Sequence, residues 1–309
     1  MQKIVKREKK LIPLKELNLT NRFLFDEVME DPNTHRDVLE IIFGKDVPIL
    51  DKNETEKELR VSTQIRAVRL DVFSMDNEKT VYGTEMQNAW KTDLAKRSRY
   101  YQSILDTSLL EPGVPSYNLL NSSYIIMIMS FDWFGYGKYC YTFRTQCQEA
   151  PECILDDGAT RIFLNTKGTN DSEVSEELVE FLHYIENTTD EVANQSESER
   201  IKRIHNRVCE VRLNEEIGVK YMQAWEEKYY EREEGKEEGE IRKLIKLVCK
   251  KIIKNCSIAE ISEMLEEDVQ KIQKIYDVSV KYAPDYDADE ILEELQNQYL
   301  DREKNVSGF

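Results

Sequence analysis

Hydrophobic positions near the start of the chain recur at the spacing of a helix. They are Phe23 and Val28, followed by Val38, Ile41 and Ile42. This spacing predicts two short helices within residues 20–44 that share one core. Thr20 or Asn21 is a candidate cap for the first helix, the Asp-Pro pair at 31–32 interrupts the pattern, and Gly44 is suited to end the second helix.

The period changes to two after Val61. Val68, Leu70 and Val72 alternate with Arg69 and Asp71, and Val81, Gly83, Glu85 and Gln87 follow on one side of a second run. The polar residues around 75–77 separate the two runs. Alternation with β-branched residues on both sides of a polar turn predicts a β-hairpin.

The rest of the chain is predicted to add one helix and further strands to this sheet, followed by a helical C-terminal part. Helical spacing covers residues 91–110, strand-like runs cover 122–134 and 139–147, and 161–168 is predicted to be an edge strand. After Ser175 the chain becomes helical and acidic, with two short helices predicted within 257–278. We therefore predict three parts: an α/β domain at 1–188, an acidic helical arm at 189–245 and a small helical unit at 246–309.

The distribution of charge changes what the net charge means. The chain of 309 residues has a formal net charge of −17, but residues 1–150 contain 21 basic and 22 acidic residues, so nearly all of the excess acid lies after residue 150. An evenly acidic protein would be a poor partner for phosphate. The near-neutral charge of the first half is therefore compatible with a nucleic-acid partner.

Some classes of protein are disfavoured. The basic N-terminus lacks the apolar core of a secretory signal and is expected to remain uncleaved. The longest apolar run, 124–131, is too short to cross a bilayer and predicts a buried strand. Six cysteines without a C-x-x-C pair, and three histidines far apart, disfavour a zinc site and favour reduced thiols in a cytoplasmic protein.

Three polar residues of the predicted hairpin form a candidate site. Glu85 and Gln87 point to the same face because side chains alternate along a strand, and Asp71 lies on the opposite arm. Two close carboxylates suit a hard divalent cation such as Mg²⁺, with the backbone carbonyl of Met86 as a further oxygen ligand. On composition alone, a polar sheet face that binds nothing is the alternative interpretation.

The order of these motifs resembles a known family. The segments RLDVF at 69–73, YGTEMQ at 82–87 and RSRYYQSILD at 97–106 are similar to those of the PD-(D/E)XK nuclease superfamily, and within it to the nuclease-family transposases. The resemblance covers about residues 17–185. It implies a restriction-endonuclease-like αβββαβ core, a mixed sheet flanked by helices, with an all-α C-terminal extension.

The resemblance also implies an activity. The expected function is Mg²⁺-dependent DNA endonuclease, with Mn²⁺ as a substitute, linked to DNA recombination or mobile elements. The family's metal-binding acids fall on Asp71 and Glu85, and Gln87 takes the position of the superfamily lysine. Arg22 stands where the family's first helix has an acid, and Asp26 where it has a lysine. A catalytically degenerate fold that binds DNA or protein is therefore the alternative.

Two further regions are candidates for partner contacts. Lys96, Arg97 and Arg99 follow the site on the next predicted helix. They are expected to contact DNA phosphates, or else to form a solvated basic face or to neutralise the acids of the site as ion pairs. The C-terminal helices are candidates for homo-oligomer contacts or a protein partner. Their second helix opens with acids, which does not favour DNA reading.

Overall fold

A mixed sheet of six strands organises the first part of the protein. The computed structural model describes residues 11–60 and 66–306, with side chains up to residue 298. The strand order is β1-β2-β3-β4-β6-β5. The strands are β1 (Leu50–Leu59), β2 (Val68–Asp76), β3 (Val81–Gln87), β4 (Ser123–Met129), β5 (Cys140–Phe143) and β6 (Ala159–Asn165).

Pairing directions follow from the connections. The β1–β2 and β2–β3 pairs are antiparallel, the β3–β4 and β4–β6 pairs are parallel, and β5 returns antiparallel to β6. The parallel step from β3 to β4 needs a crossover, which contains helix α3 (Leu94–Leu109). The hairpin predicted at 66–88 is confirmed as β2 and β3.

Two strand predictions need correction. The sequence pattern missed β1 because its residues, LDKNETEKEL, are mostly polar and partly exposed, as suits a strand at the edge of the sheet. The prediction that 161–168 is an edge strand was wrong. Strand β6 lies between β4 and β5, and the half-exposed β5 forms the edge.

The two predicted N-terminal helices are confirmed, with local caps. Helix α1 (Arg22–Met29) begins after Asn21, whose side chain accepts hydrogen bonds from two backbone N–H groups of the first turn. Helix α2 (Pro32–Phe43) begins after Asp31, whose carboxylate accepts from Thr34 N–H. It ends at Gly44, whose φ of 63° is readily adopted without a Cβ.

Helices cover both faces of the sheet. Helices α1 and α2 pack on one face with α4 (Glu176–Glu186) and α6 (Glu199–Leu213), in a core that includes Val72, Met86 and Ile126. Helix α3 covers the other face, where Ile104 and Leu105 pack against β2 and Leu94 packs against β4. The sheet is thus buried on both sides, and polar residues in its strands must find partners inside the protein.

The chain forms two compact units that divide between Tyr221 and Met222. The first contains the sheet, α1 to α4, α5 (Asp190–Gln195), α6 and the start of α7 (Glu215–Ile252). The second contains the rest of α7 with α8 (Ile258–Leu265), α9 (Val269–Ser279) and α10 (Ala288–Val306), whose apolar side chains form their own cluster. Short 3₁₀ helices occur at Leu14–Glu16, Tyr117–Leu119, Asp171–Glu173 and Val280–Tyr282.

Ion pairs fix α6 to α2 within the first unit. Arg203 donates two hydrogen bonds to the Asp37 carboxylate, and Arg200 donates to Glu40 at 2.8 Å. In the second unit Ser257 caps α8 in a capping box with Glu260. No helix in the described part of the chain is both long and apolar enough to span a bilayer.

Candidate active site

Asp71 and Glu85 lie on opposite arms of the hairpin, just beyond the last backbone pair, where their carboxylates accept hydrogen bonds from backbone N–H groups. The backbone ladder between β2 and β3 runs from Met75↔Val81 to Val72↔Thr84. One step further, Asp71 N–H donates to Glu85 Oε1 at 3.0 Å, and Met86 N–H donates to Asp71 Oδ2 at 3.0 Å. These reciprocal bonds hold both carboxylates, which are only 2% and 1% exposed, at adjacent positions.

The side-chain alternation of β2 is interrupted at this point. Leu70 and Phe73 both pack in the cluster beneath α3, whereas Val72 packs in the core beneath α1. Glu56 of β1 lies between the residues paired with Leu70 and Val72, and it has a left-handed φ of 52°. Such a conformation is strained for a side chain other than glycine and is often found at functional sites.

A second group of acids surrounds Asp71. Carboxylate oxygens of Asp26 on α1, Glu56 on β1 and Asp71 on β2 all lie within 4.8 Å of one another. Asp26 Oδ1 is buried and has no hydrogen-bond partner among the described residues. Three converging carboxylates with an unsatisfied buried oxygen would repel one another unless a cation lies among them.

Arg22 provides a cation at this position. Its guanidinium contacts Asp71 Oδ1 at 2.6 Å, Glu56 Oε1 at 2.8 Å and Asp26 Oδ2 at 3.5 Å. Burial lowers the pKa of Arg22, but the three acids outweigh that effect and raise it above its ordinary value. The residue that replaces the expected first-helix acid therefore neutralises the acids around it.

Arg22 does not offset the full cost of burying these acids, and their pKa values are raised. Burial raises the pKa of Asp26 to about 9, and the nearby Asp71 and Glu56 add to the shift. Burial, followed by the charge of Asp71, raises the pKa of Glu85 to about 8. Burial also raises the pKa of Asp71, against the opposing effect of Arg22. The site is therefore poor in positive charge relative to its acids and suits an added cation.

Glu85 has partners on the face toward α3. Gln87 Nε2 donates to Glu85 Oε2 at 3.2 Å, and Arg97 Nη2 donates to the same oxygen at 2.8 Å. The Arg97 guanidinium also lies over the Tyr101 ring, 5.2 Å from its centroid. Each motif acid thus has its own arginine, Arg22 for Asp71 and Arg97 for Glu85.

A basic groove opens beside these acids. Its volume is about 880 Å³, and Glu85 lies in its wall. The cationic residues that line it are Arg22, Arg66, Arg69, Lys91, Lys96, Arg97 and Arg99. The groove therefore carries a positive surface beside a carboxylate site, although the whole chain is acidic.

The predicted site residues are mostly brought together. Asp71, Glu85, Gln87 and Arg97 form one hydrogen-bonded group, while the exposed Lys96 and Arg99 line the groove next to it. Met86 contributes an observed contact through its amide, and a role for its carbonyl stays a prediction. Of the roles predicted for Arg97, its contacts support the neutralising of an acid.

Sequence patterns missed Glu56 and Arg69. Glu56 lies on β1, which the pattern does not predict, and Arg69 was predicted only as part of the alternation of β2 and of the RLDVF motif. Arg69 forms an ion pair with Glu56 Oε2. The alternation of Asn53, Thr55 and Lys57 with three glutamates was the only available signal.

The chain matches the model of a known protein family. A family model described as PD-(D/E)XK nuclease family transposase matches residues 39–239. The chain belongs to this family. No curated protein and no solved structure matches it. The family accounts for a mixed sheet with flanking helices and makes the protein a nuclease-type domain, for which DNA is the implied substrate.

The matched range includes only part of the site. It contains Glu56, Asp71, Glu85 and Gln87 but begins after α1, so Arg22 lies outside it. The first-helix arginine is therefore a property of this chain that the family match does not describe. Its effect on metal binding must be judged from its contacts.

Proposed function

We propose that this protein is a metal-dependent DNA endonuclease of the PD-(D/E)XK transposase-like branch. The observation that carries the proposal is the pair of buried carboxylates, Asp71 and Glu85, each of which accepts a hydrogen bond from the backbone of the other strand, beside a basic groove that Glu85 lines. In this proposal both acids hold a divalent cation, and the Gln87 amide orients the attacking water. Met86 adds its carbonyl oxygen.

The donor set fits a hard cation. Asp71 shares the region with Asp26 and Glu56, so oxygen donors are abundant, and the unpartnered Asp26 Oδ1 is available for a further contact. Mg²⁺ and Mn²⁺ prefer oxygen donors of this type. Such an ion supplies a more acidic bound water and neutralises charge on the phosphate that is cleaved. The chain's own residues position the water and the phosphodiester.

The groove fits the backbone of a nucleic acid. Arg66, Lys96 and Arg99 lie along it without a role in holding Asp71 or Glu85, so they are free to contact phosphates on either side of the scissile bond. Tyr100 and Tyr101 pack against the cluster beneath α3 and shape its wall. Contacts of this kind position DNA and do not read its sequence.

Cleavage by isosteric variants tests the proposal. Purified protein is incubated with supercoiled and linear DNA in Mg²⁺, Mn²⁺ or EDTA, and products are separated on gels. We expect metal-dependent cleavage that Asp71→Asn and Glu85→Gln each reduce by about 100-fold or more, because a charged ligand is lost. Glu58→Gln, an exposed change on β1, is the matched control. Cleavage that both site variants retain refutes the assignment.

A second function is favoured by the arginines that neutralise both motif acids. With Arg22 on Asp71 and Arg97 on Glu85, the site is also compatible with a fold that binds DNA without cleaving it. Titration with Mn²⁺, together with DNA binding measured in EDTA, separates the two functions. No metal uptake with DNA binding retained favours the non-catalytic module.

Substitutions of residues that line the groove test whether the groove binds DNA. We expect Arg66→Gln and Lys96→Gln each to weaken binding of unrelated DNA sequences to a similar extent. Each should also lower the salt dependence by about one unit of slope, because one phosphate contact is lost. Unchanged binding in the double variant excludes this groove as the DNA surface.

We further propose that the C-terminal helices form an all-α extension for self-association or a protein partner. The acid that opens α9, Asp268, is used as its cap and accepts from Gln270 and Lys271 N–H groups. This leaves the start of α9 without the basic character of a DNA-reading helix. Light scattering on the full chain and on a form ending at Tyr221, the last residue of the first compact unit, compares their masses.

A further inference from the structure

A group of three metal-type donors lies apart from the basic groove. Helix α6 presents His205 and Cys209 one turn apart, and Asp190 begins α5. The His205 nitrogen, the Cys209 sulfur and an Asp190 oxygen all lie within 4.8 Å of one another. This group combines one nitrogen, one sulfur and one oxygen, unlike the all-oxygen group around Asp71.

The distances match those of a tetrahedral zinc site. Cys209 Sγ lies 3.6 Å from His205 Nε2, and Asp190 Oδ1 lies 3.1 Å from the same nitrogen. With usual bond lengths for zinc, the donors of a tetrahedron lie about 3.6 Å apart for nitrogen and sulfur and about 3.3 Å apart for nitrogen and oxygen. The protein therefore already holds these donors at nearly the required separations.

The orientation of the imidazole is fixed from behind. The hydroxyl of Tyr184, a fully buried residue of α4, lies 2.8 Å from His205 Nδ1. A histidine that donates its Nδ1 proton to such a partner has an unprotonated Nε2, which is the form that binds metal. Nε2 faces both Asp190 and Cys209. Tyr184 is thus placed as an outer partner of a metal ligand.

The surroundings leave room for a further ligand and hold the thiol near a positive charge. The Asp190 side chain is 82% exposed, so a fourth position facing it is accessible to water. Burial and the negative charge of Asp190 raise the pKa of the Cys209 thiol, and the charge of Arg212 opposes only part of that rise. Arg212 is fixed by hydrogen bonds to the carbonyls of Leu17 at 2.6 Å and Thr188 at 2.8 Å. The thiolate that binds metal is therefore formed when the ion itself enters the site.

We propose that Asp190, His205 and Cys209 form a zinc-binding site with a water as the fourth ligand. Nitrogen and sulfur donors favour zinc over Mg²⁺. In the metal-free protein the Nε2 proton of His205 is donated to the Asp190 carboxylate, and Nδ1 accepts from the Tyr184 hydroxyl. On binding, Nε2 gives up its proton to become a ligand, Nδ1 takes up a proton and donates it to the Tyr184 oxygen, the Cys209 thiol releases one proton to solvent, and no oxidation is involved. The metal joins α5 to α6 and stabilises the helices that cover one face of the sheet.

Two of the three ligands have a spacing in the sequence that is typical of a metal site on a helix, although it is not a C-x-x-C motif. His205 and Cys209 are four residues apart, which places them on one face of a helix. The third ligand comes from a separate helix, so only the docking of α5 beside α6 completes the set. The site does not depend on the proposed nuclease activity.

Cobalt substitution tests the site through the thiolate. Full-length protein, reduced and freed of metal, is titrated with Co²⁺ while near-ultraviolet absorption by a cobalt–thiolate bond is recorded, and Zn²⁺ is then added to displace it. We expect one equivalent to bind with this absorption. Cys209→Ser should abolish the absorption, His205→Ala should weaken binding by 100-fold or more, and Tyr184→Phe should weaken it by about 10-fold.

Matched variants separate this site from others. Cys153→Ser removes an exposed thiol, and Asp71→Asn removes an acid of the other cluster; both should retain the absorption. Circular dichroism checks that each variant is folded. Absence of the absorption in the wild type, or its persistence in Cys209→Ser, overturns the proposal. A thermal shift with Zn²⁺ that His205→Ala retains in full would also contradict it.

Discussion

Replacing Arg22 by glutamine should strengthen metal binding at the candidate active site. Arg22 contacts Asp71 at 2.6 Å and Glu56 at 2.8 Å, where a divalent cation would compete for the same oxygens. A metal that enters must displace the guanidinium and break both ion pairs. Arg22→Gln removes this competition while retaining a polar side chain at the start of α1.

The expected magnitude follows from the exposure of the arginine. Two unit charges about 4 Å apart attract by about 4 kcal/mol at an effective dielectric constant of 20, and by about 1 kcal/mol in water. The Arg22 side chain is 44% exposed, so solvent screening places each pair near the lower value. Two pairs give about 2 kcal/mol, which corresponds to a decrease of about 30-fold in the Kd for the metal.

Isothermal titration with Mn²⁺ measures this difference. Arg99→Gln is the matched control, because it removes the same charge from the same groove, at an exposed position. We expect that control to bind Mn²⁺ much like the wild type. Equal affinity in Arg22→Gln and the wild type refutes the competition. An equal gain in both variants would assign the effect to the general field of the groove.

Three further predictions concern stability. Burial lowers the pKa of His35 to about 4, so the folded protein favours the neutral imidazole. In urea unfolding, the free energy of unfolding present above pH 6.5 should therefore fall by about 2 kcal/mol by pH 5, and by less in His35→Gln. The raised pKa of Asp26 gives the opposite pH dependence, because the folded protein favours the protonated carboxyl. In EDTA, the free energy of unfolding should fall as pH rises from 7 to 9, and Asp26→Asn should show a smaller fall. Gly168→Ala would place a Cβ in steric overlap with Cγ of the buried Tyr139 ring and should lower the free energy of unfolding by about 2 kcal/mol or more. Gly218→Ala, in open space within α7, should instead raise the melting temperature slightly.

Local patterns were sufficient for most helices and strands and for the central pair of acids. The alternation at 68–72 and 81–87, with a polar turn between, fixes both arms of the hairpin because side-chain direction has a period of two in any strand. That regularity places Glu85 beside Gln87 and puts Asp71 on the opposite arm, whereas the register of the hairpin and the break in the alternation of β2 bring Asp71 close to Glu85. The caps at Asn21, Asp31 and Ser257 are similarly local, since each acts within its own first turn.

Only the tertiary structure decided which charges surround those acids. Arg22 and Glu56 reach Asp71 from a helix and from a polar edge strand that has no hydrophobic alternation to reveal it. Likewise, Asp190 joins His205 and Cys209 only because α5 docks beside α6. A sequence pattern records the direction of a side chain along its own element, whereas contacts between elements depend on register and packing. The hairpin acids could be read from the sequence, but the cation that neutralises Asp71 and the second donor cluster depended on the fold.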